Sequence, residues 1–344
     1  MEVEKQDLAD LDDAYATGLV RVDGESCLLV GPETRGKPLK FNPPDWAEEE
    51  PILNELGGCM NVRSFSQIED SFLAIEGFYP VFQSEGAGVV LVRKNSDGNW
   101  EKQRILDLPF VHRIEEVRVG EDSFLVASSL AAAKDSPEDW SESGATYVGK
   151  IPEVPSRCPE MEEVLSGIHK NHGLHVTEIN GSRSILITGE EGIFSISVPN
   201  SPSGKWKTDK LVDHEVSDVF VADLDDDGEP EFVTIEPFHG DTLGLYKKEE
   251  GNWKRQSTYP LNFGHVVWAG ELLGKPRVIA GSRGGEAELA CLKVGEESLE
   301  LKKDFVLDRG VGPAQISVLS RPDSEIVFSA NNGADEVASY RIHE

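Results

Sequence analysis

The chain has 344 residues, a formal net charge of −30 and a pI near 4.6, and 38% of it is hydrophobic, enough for one large all-β domain or two average ones. Such acidity excludes nucleic acid and an anionic membrane as partners, because phosphate recognition needs clustered Lys and Arg; its plainest reading is a well-solvated surface. The opening "MEVEKQDLADLDD" has no basic-then-apolar leader, no apolar run is long enough to span a membrane, and four scattered cysteines (Cys27, Cys59, Cys158, Cys291) form no CxxC pair, so a reducing cytoplasm with free thiols is expected, an extracellular chain with its signal removed being the alternative.

Along the chain a two-part phrase recurs. Its first part is an aromatic, a basic cluster and a Leu-x-Asp-like end: "GNWEKQRILDLPF", "GKWKTDKLVDHE", "GNWKRQSTYPLNF", "LELKKDFVLDRG". Its second part is alternating apolar residues, a polar turn, then an apolar run ending in a small residue: "VHRIEEVRVGEDSFLVASS", "HGLHVTEINGSRSILITGEEGIFSI", "HVVWAGELLGKPRVIAGSRGG". Period-2 alternation, Val/Ile/Phe enrichment and Gly/Asp turns predict four strands per unit of about 45 to 50 residues, the signature of a β-propeller. Outside roughly residues 155–170 no segment has a clean helical period.

Units are expected near Ala16, Cys59, Val111, Asn171, Val216, His265 and Pro313, giving an all-β, seven-bladed propeller; the irregular first two units leave six blades as the alternative. The last unit lacks an outer strand, and "VEKQDLADLD" near the N-terminus matches "WEKQRILDLP", so residues 3–12 are expected to complete that blade and remove an exposed sheet edge. A single domain over residues 1–344 follows. The Ser/Glu/Pro-rich segment 131–170 reads as an insertion within the third blade, a surface lid or arm able to mediate a homodimer.

The fifth unit carries "ADLDDDGEPEFVTIEPFHGDTLGLY". Asp223, Asp225, Asp227 and Glu231, with Gly228 for the bend, give a D-x-D-x-D-G-x-x-E spacing suited to a hard cation such as Ca²⁺ or Mg²⁺ in a structural role. The closing acid comes too early for an EF-hand, and a solvated acidic turn is the competing reading.

The histidines are placed by the repeat. His112, His172 and His265 open first strands, whose starts in a propeller lie at the rim opposite the first turn; the turn between second and third strands, which holds His239, returns to that rim. His175 follows on the same strand as His172. Converging imidazoles suit Zn²⁺ or another first-row divalent metal, or acid–base chemistry near neutral pH. The equivalent turns of the last two blades offer Asn331 and Asn332, whose amides suit sugar hydroxyls, and Arg283; His214 and His343 read as surface residues, and His169 as ambiguous. Taken singly, each of these histidines reads as well as a hydrogen-bonding residue at a strand end.

"HGLHVTEI", "ADLDDDGEPEFVTIEPFHGDTLGLY" and "FGHVVWAGELLGKPRVIAG" together resemble the propeller domain of aldos-2-ulose dehydratase and related FG-GAP/VCBS-repeat proteins, from about residue 110 onward. The resemblance implies a calcium loop at the acidic turn and a divalent metal, zinc, in the propeller mouth, acting on small oxidised sugars. It departs in one respect: the sequence ends where the propeller ends, without the cupin domains that follow in the fungal enzymes. The implied activity is a carbon–oxygen lyase working by β-elimination, with His172, His239 and His265 on the metal, His112 or His175 as base or acid, and Glu236 as a further ligand. Competing readings are a non-catalytic carbohydrate- or protein-binding propeller and a polysaccharide or glycoside lyase.

Overall fold

The computed structural model describes residues 1–152, 159–179, 181–295 and 298–343, so Cys158 lies outside it. Strand β1 (Glu2–Asp10) comes first, followed by a sheet of β2 (Ala14–Val22), β3 (Glu25–Pro32), β4 (Leu39–Phe41) and β5 (Glu49–Pro51). The next sheets are β6 (Val62–Ser64), β7 (Ser71–Glu76), β8 (Gly88–Lys94) and β9 (Trp100–Asp107), then β10 (Val111–Val119), β11 (Asp122–Ser129), β12 (Gly144–Lys150) and β13 (Glu162–Ile168). Sheets four and five are β14 (Leu174–Ile179), β15 (Ser182–Gly189), β16 (Gly192–Ser197) and β17 (Lys207–Val212), and β18 (Asp218–Ala222), β19 (Glu231–Glu236), β20 (Thr242–Glu249) and β21 (Asn252–Pro260). The sixth is β22 (Gly264–Leu272), β23 (Lys275–Ser282), β24 (Leu289–Val294) and β25 (Leu301–Asp308). The seventh joins β26 (Gln315–Arg321), β27 (Ser324–Asn331) and β28 (Glu336–His343) to β1 at its edge.

Seven four-stranded sheets of this kind make the fold a seven-bladed β-propeller, and the six-blade alternative falls. The first strand of every sheet begins within three residues of the position expected from the repeat, and the N-terminal strand completes the last blade. One expectation needs correction. Segment 131–170 is not an insertion throughout: Gly144–Lys150 and Glu162–Ile168 are the third and fourth strands of their blade, and the latter is a strand where a helical period was least excluded. Ser136, Pro137, Glu138, Ser141, Glu142 and Ser143 lie in the connection between β11 and β12, and Glu162 and Glu163 are exposed on the outer strand.

The chain divides into two compact units, an N-terminal one (Leu8–His172 and Val198–Lys207) and a C-terminal one (Met1–Asp7, Gly173–Ser197 and Thr208–Glu344). Burial within blades follows strand order. All six residues of β19 are buried, while β21 is exposed or half-exposed along its length. Alternation in β19 sends Val233 and Ile235 into a core with Leu243, Leu245, Val278 and Leu292, and Phe232 into another with Leu186, Val219 and Tyr246. The only helix among the described residues is a three-residue 3₁₀ turn, Asn332–Ala334, and no described helix is long and apolar enough to cross a membrane.

Candidate functional site

Strand β19 has a different chemistry at each end. Its first residue, Glu231, pairs with Ala222 across the acidic turn, and Ile235 pairs with Asp218 at the other end, where His239 follows. At the acidic end Gly228 adopts φ +87, a backbone that favours glycine, and its N–H donates to Asp223 Oδ2 at 2.9 Å. Leu224 N–H donates to Glu231 Oε2 at 2.8 Å, which turns a fully buried carboxylate back into the loop. Asp223, Asp225 and Glu231 each present an oxygen within 4.8 Å of the others. Among the described residues, Asp225 Oδ1 and Glu231 Oε1 are buried without a hydrogen-bond partner. Burial pushes the Glu231 carboxyl up to about 7, with the neighbouring Asp225 and Asp227 adding to the shift against Leu224 N–H and Lys247.

Lys247, from β20, reaches into the same loop: its ammonium pairs closely with Asp225, lies 2.6 Å from Asp227 Oδ2 and 3.7 Å from Glu231 Oε1. Lys247 holds the Asp227 carboxyl below its usual range, and Asp227 is committed to this ammonium and to Glu229 N–H. The oxygen donors therefore fit a hard cation at Asp223, Asp225 and Glu231, with Asp227 beside it, and Lys247 supplies one positive charge of its own.

At the other end, Gly240 N–H donates to Pro237 O at 2.8 Å and closes a tight turn. His239 sits in it at φ +48, an uncommon backbone for a residue with a side chain, with its N–H on Ser217 Oγ at 3.2 Å. A Cβ on Gly240 would collide with the backbone of Glu236 and Pro237, so the turn requires glycine there. Gly264 N–H then donates to Gly240 O at 2.7 Å, tying this turn to the start of β22. That one backbone bond brings His239 and His265 together: their ring centres are 4.9 Å apart and each offers a ring nitrogen within 4.8 Å of the other's. His265 is buried, and its Nδ1 lies 2.8 Å from Ala314 O. A carbonyl only accepts, so Nδ1 carries the proton and Nε2 is left as the donor atom, the arrangement that orients metal-bound imidazoles.

Two neighbours complete this face of the C-terminal unit. Phe263, 41% exposed, stands 5.1 Å from the His239 ring, and the Arg283 guanidinium lies 5.9 Å from the Phe263 ring while donating to Asn332 Oδ1. An exposed aromatic beside polar donors suits the apolar face of a sugar ring. Phe263 was not singled out from sequence; the only signal was an aromatic two residues before an inner-strand histidine.

In the N-terminal unit His112 and His172 are buried, with ring centres 4.5 Å apart. The same kind of backbone clamp brings them together, since Leu130 N–H donates to Phe110 O at 2.9 Å and Asn171 N–H to Leu130 O at 3.4 Å. Phe78 stands edge-on to His112 at 5.4 Å, and Arg113 Nη1 lies 3.5 Å from His112 Nε2.

Other expected site residues are placed elsewhere. Asn331 is fully buried: it donates to Glu336 Oε1 at 2.6 Å and Tyr340 Oη at 2.9 Å and accepts from Ser329, so its amide holds the blade and is not presented to a substrate. Glu236 is not a free ligand either, being engaged by Thr234 Oγ1 at 2.5 Å, Tyr246 Oη at 2.7 Å and the Arg255 guanidinium. His214, expected at the surface, is 40% exposed but joins this network through Tyr246 Oη at 2.9 Å. His175 packs on Phe220 with ring centres 4.2 Å apart. His343 lies 3.7 Å from Glu4, as a terminal surface residue would.

The fold and its paired imidazoles define a class: a seven-bladed β-propeller with a polar, histidine-bearing face. No family model matches the sequence, and no curated protein does. Solved structures match the fold. One in the crystal structure of the mitotic checkpoint complex aligns with TM-score 0.62 at 11% identity, covering 99% of this chain and 91% of that one. Streptogramin B lyase aligns with TM-score 0.58 at 11% identity over 98% of this chain and 97% of that one. A Bacteroides uniformis protein assigned as a 6-phosphogluconolactonase aligns with TM-score 0.54 at 9% identity over 95% of each chain. At these identities the likeness is one of fold.

Proposed function

We propose that the protein is a metal-dependent lyase that removes water or an alkoxide from a small keto-sugar by β-elimination. The observation that carries this reading is the His239–His265 pair, with the Nδ1 of His265 fixed on Ala314 O so that Nε2 is the ligand atom. The metal is assigned as zinc or another first-row divalent ion, held in the C-terminal unit by His239 and His265. Bound there, the metal would polarise the sugar ketone and acidify the adjacent C–H. Phe263 stacks on the sugar ring, Arg283 and Asn332 orient its hydroxyls, and His175 moves the proton. The acidic turn takes Ca²⁺ or Mg²⁺ in a structural role.

The test is metal analysis of the purified protein, then incubation with keto-sugars and ultraviolet detection of the enone. Enone formation that needs the metal and is lost in His239→Ala supports the reading. Stoichiometric metal with no enone from any mono- or oligosaccharide returns the protein to a carbohydrate- or protein-binding propeller, and turnover of polymers alone makes it a polysaccharide lyase.

A further inference from the structure

The connection between β11 and β12 holds a lysine in an unusual setting. Lys134 is only 7% exposed, and its Nζ has no hydrogen-bond partner among the described residues. Two aromatic rings face it instead: Nζ stands 3.1 Å from the Trp140 ring centre and 5.2 Å from that of Phe82. Those rings are 5.5 Å apart, and Phe82 leads through Phe78, at 6.5 Å, to His112. The amine is thus seated at the end of an aromatic wall that runs to the histidine pair of the N-terminal unit.

Lysines almost never bury the ammonium without an acceptor, because losing water is costly to the charge; when they do, the neutral amine is favoured. Ring faces attract a cation but less strongly than lost hydration opposes it. Burial accordingly holds this amine down at about 8, against the opposing pull of Asp139 and Glu138, the charged groups that act on it. At about 8 a substantial fraction of the amine is neutral near pH 7.5, and that neutral, desolvated fraction is a nucleophile.

We propose that Lys134 is an amine nucleophile that captures a small aldehyde or ketone as an imine. The Nζ lone pair forms a C–N bond to the carbonyl carbon, and both amine protons pass to the carbonyl oxygen, which leaves as water with its C–O bond broken as the C=N bond forms; no oxidant or reductant is consumed. Trp140, half-buried, covers the amine and would stack on the captured carbonyl compound. The proposed chemistry needs no metal.

The experiment uses the full chain with substoichiometric glycolaldehyde at pH 7.5, sodium cyanoborohydride to fix any imine, and peptide mass spectrometry to locate the secondary amine. Lys134 is expected to take up label at least about tenfold faster than any other lysine, and His239→Ala is expected to label equally. Lys134→Met, which keeps the apolar volume, should lose that fast label and leave the slow surface labelling. Label spread over surface lysines with none enriched at Lys134, or fast labelling that persists in Lys134→Met, overturns the proposal.

Discussion

The two ends of β19 are built from the same strand and are held by opposite logic. The acidic end is local: Asp223, Asp225 and Glu231 lie within nine residues, and their oxygens converge because Gly228 lets the chain turn and Leu224 N–H holds Glu231. The imidazole end is assembled from a distance: His239 meets His265 only because Gly264 N–H reaches Gly240 O across two blades. The chemistry differs in the same sense. Carboxylates with a lysine among them form a hard, charged site, while imidazoles beside an exposed phenyl ring form a borderline one. Under the proposed function, one strand would carry a structural cation at one end and a reactive one at the other, without the two competing for the same ion.

The sharpest break of this contrast is His239→Ala. Zinc affinity should fall at least about 100-fold, the scale set by losing a ligand where outer-shell losses alone reach 10–100-fold. Calorimetric titration with calcium should be unchanged in the same variant. Equal loss of both metals would show that the ends are not independent.

Next in size is the anchor of the imidazole end. Arg255→Met leaves the Glu236 carboxylate buried and stripped of its ion pair, which should cost about 3 kcal/mol in urea unfolding. Tyr246 Oη and Thr234 Oγ1 still donate to Glu236, so the variant should fold.

The acidic end gives a pH test. Because the folded Glu231 titrates near 7, above its unfolded value, its contribution to stability is full at low pH and is lost as pH rises through about 7. Metal-free protein should lose about 2 kcal/mol between pH 4.5 and 8 from this group, calcium should restore stability at pH 8, and Glu231→Gln should flatten both responses. A calcium response that survives in Glu231→Gln would remove Glu231 from the cation site.

The smallest expected effect belongs to Lys247. In Lys247→Met the loop loses its internal positive charge, so thermal stability in chelator should fall by about 1 kcal/mol while calcium binds more tightly. Weaker calcium binding in this variant would mean that the lysine supports the site and does not compete with the ion.

Much of this was written in the order of residues. Period-2 alternation and the recurring aromatic–basic phrase set seven four-stranded blades and the closing N-terminal strand, because a strand's buried face and its turns are local properties. The position of each histidine within its repeat put His112 and His265 at the second residues of their strands and His239 in the matching turn, while His172, expected to open a strand, lies two residues before β14, and the D-x-D-x-D-G-x-x-E spacing delimited the acidic loop. What the order of residues could not specify were partners supplied by other segments. Asn331 occupies a turn position equivalent to its neighbours' but is enclosed by Tyr340 and Glu336; Lys247 fills a loop written 20 residues earlier; Phe263 stays exposed while Phe232 stacks at 3.5 Å on Trp253. Burial, and with it the charge state and availability of a polar group, is a property of everything packed around a residue, so only the folded chain decides it.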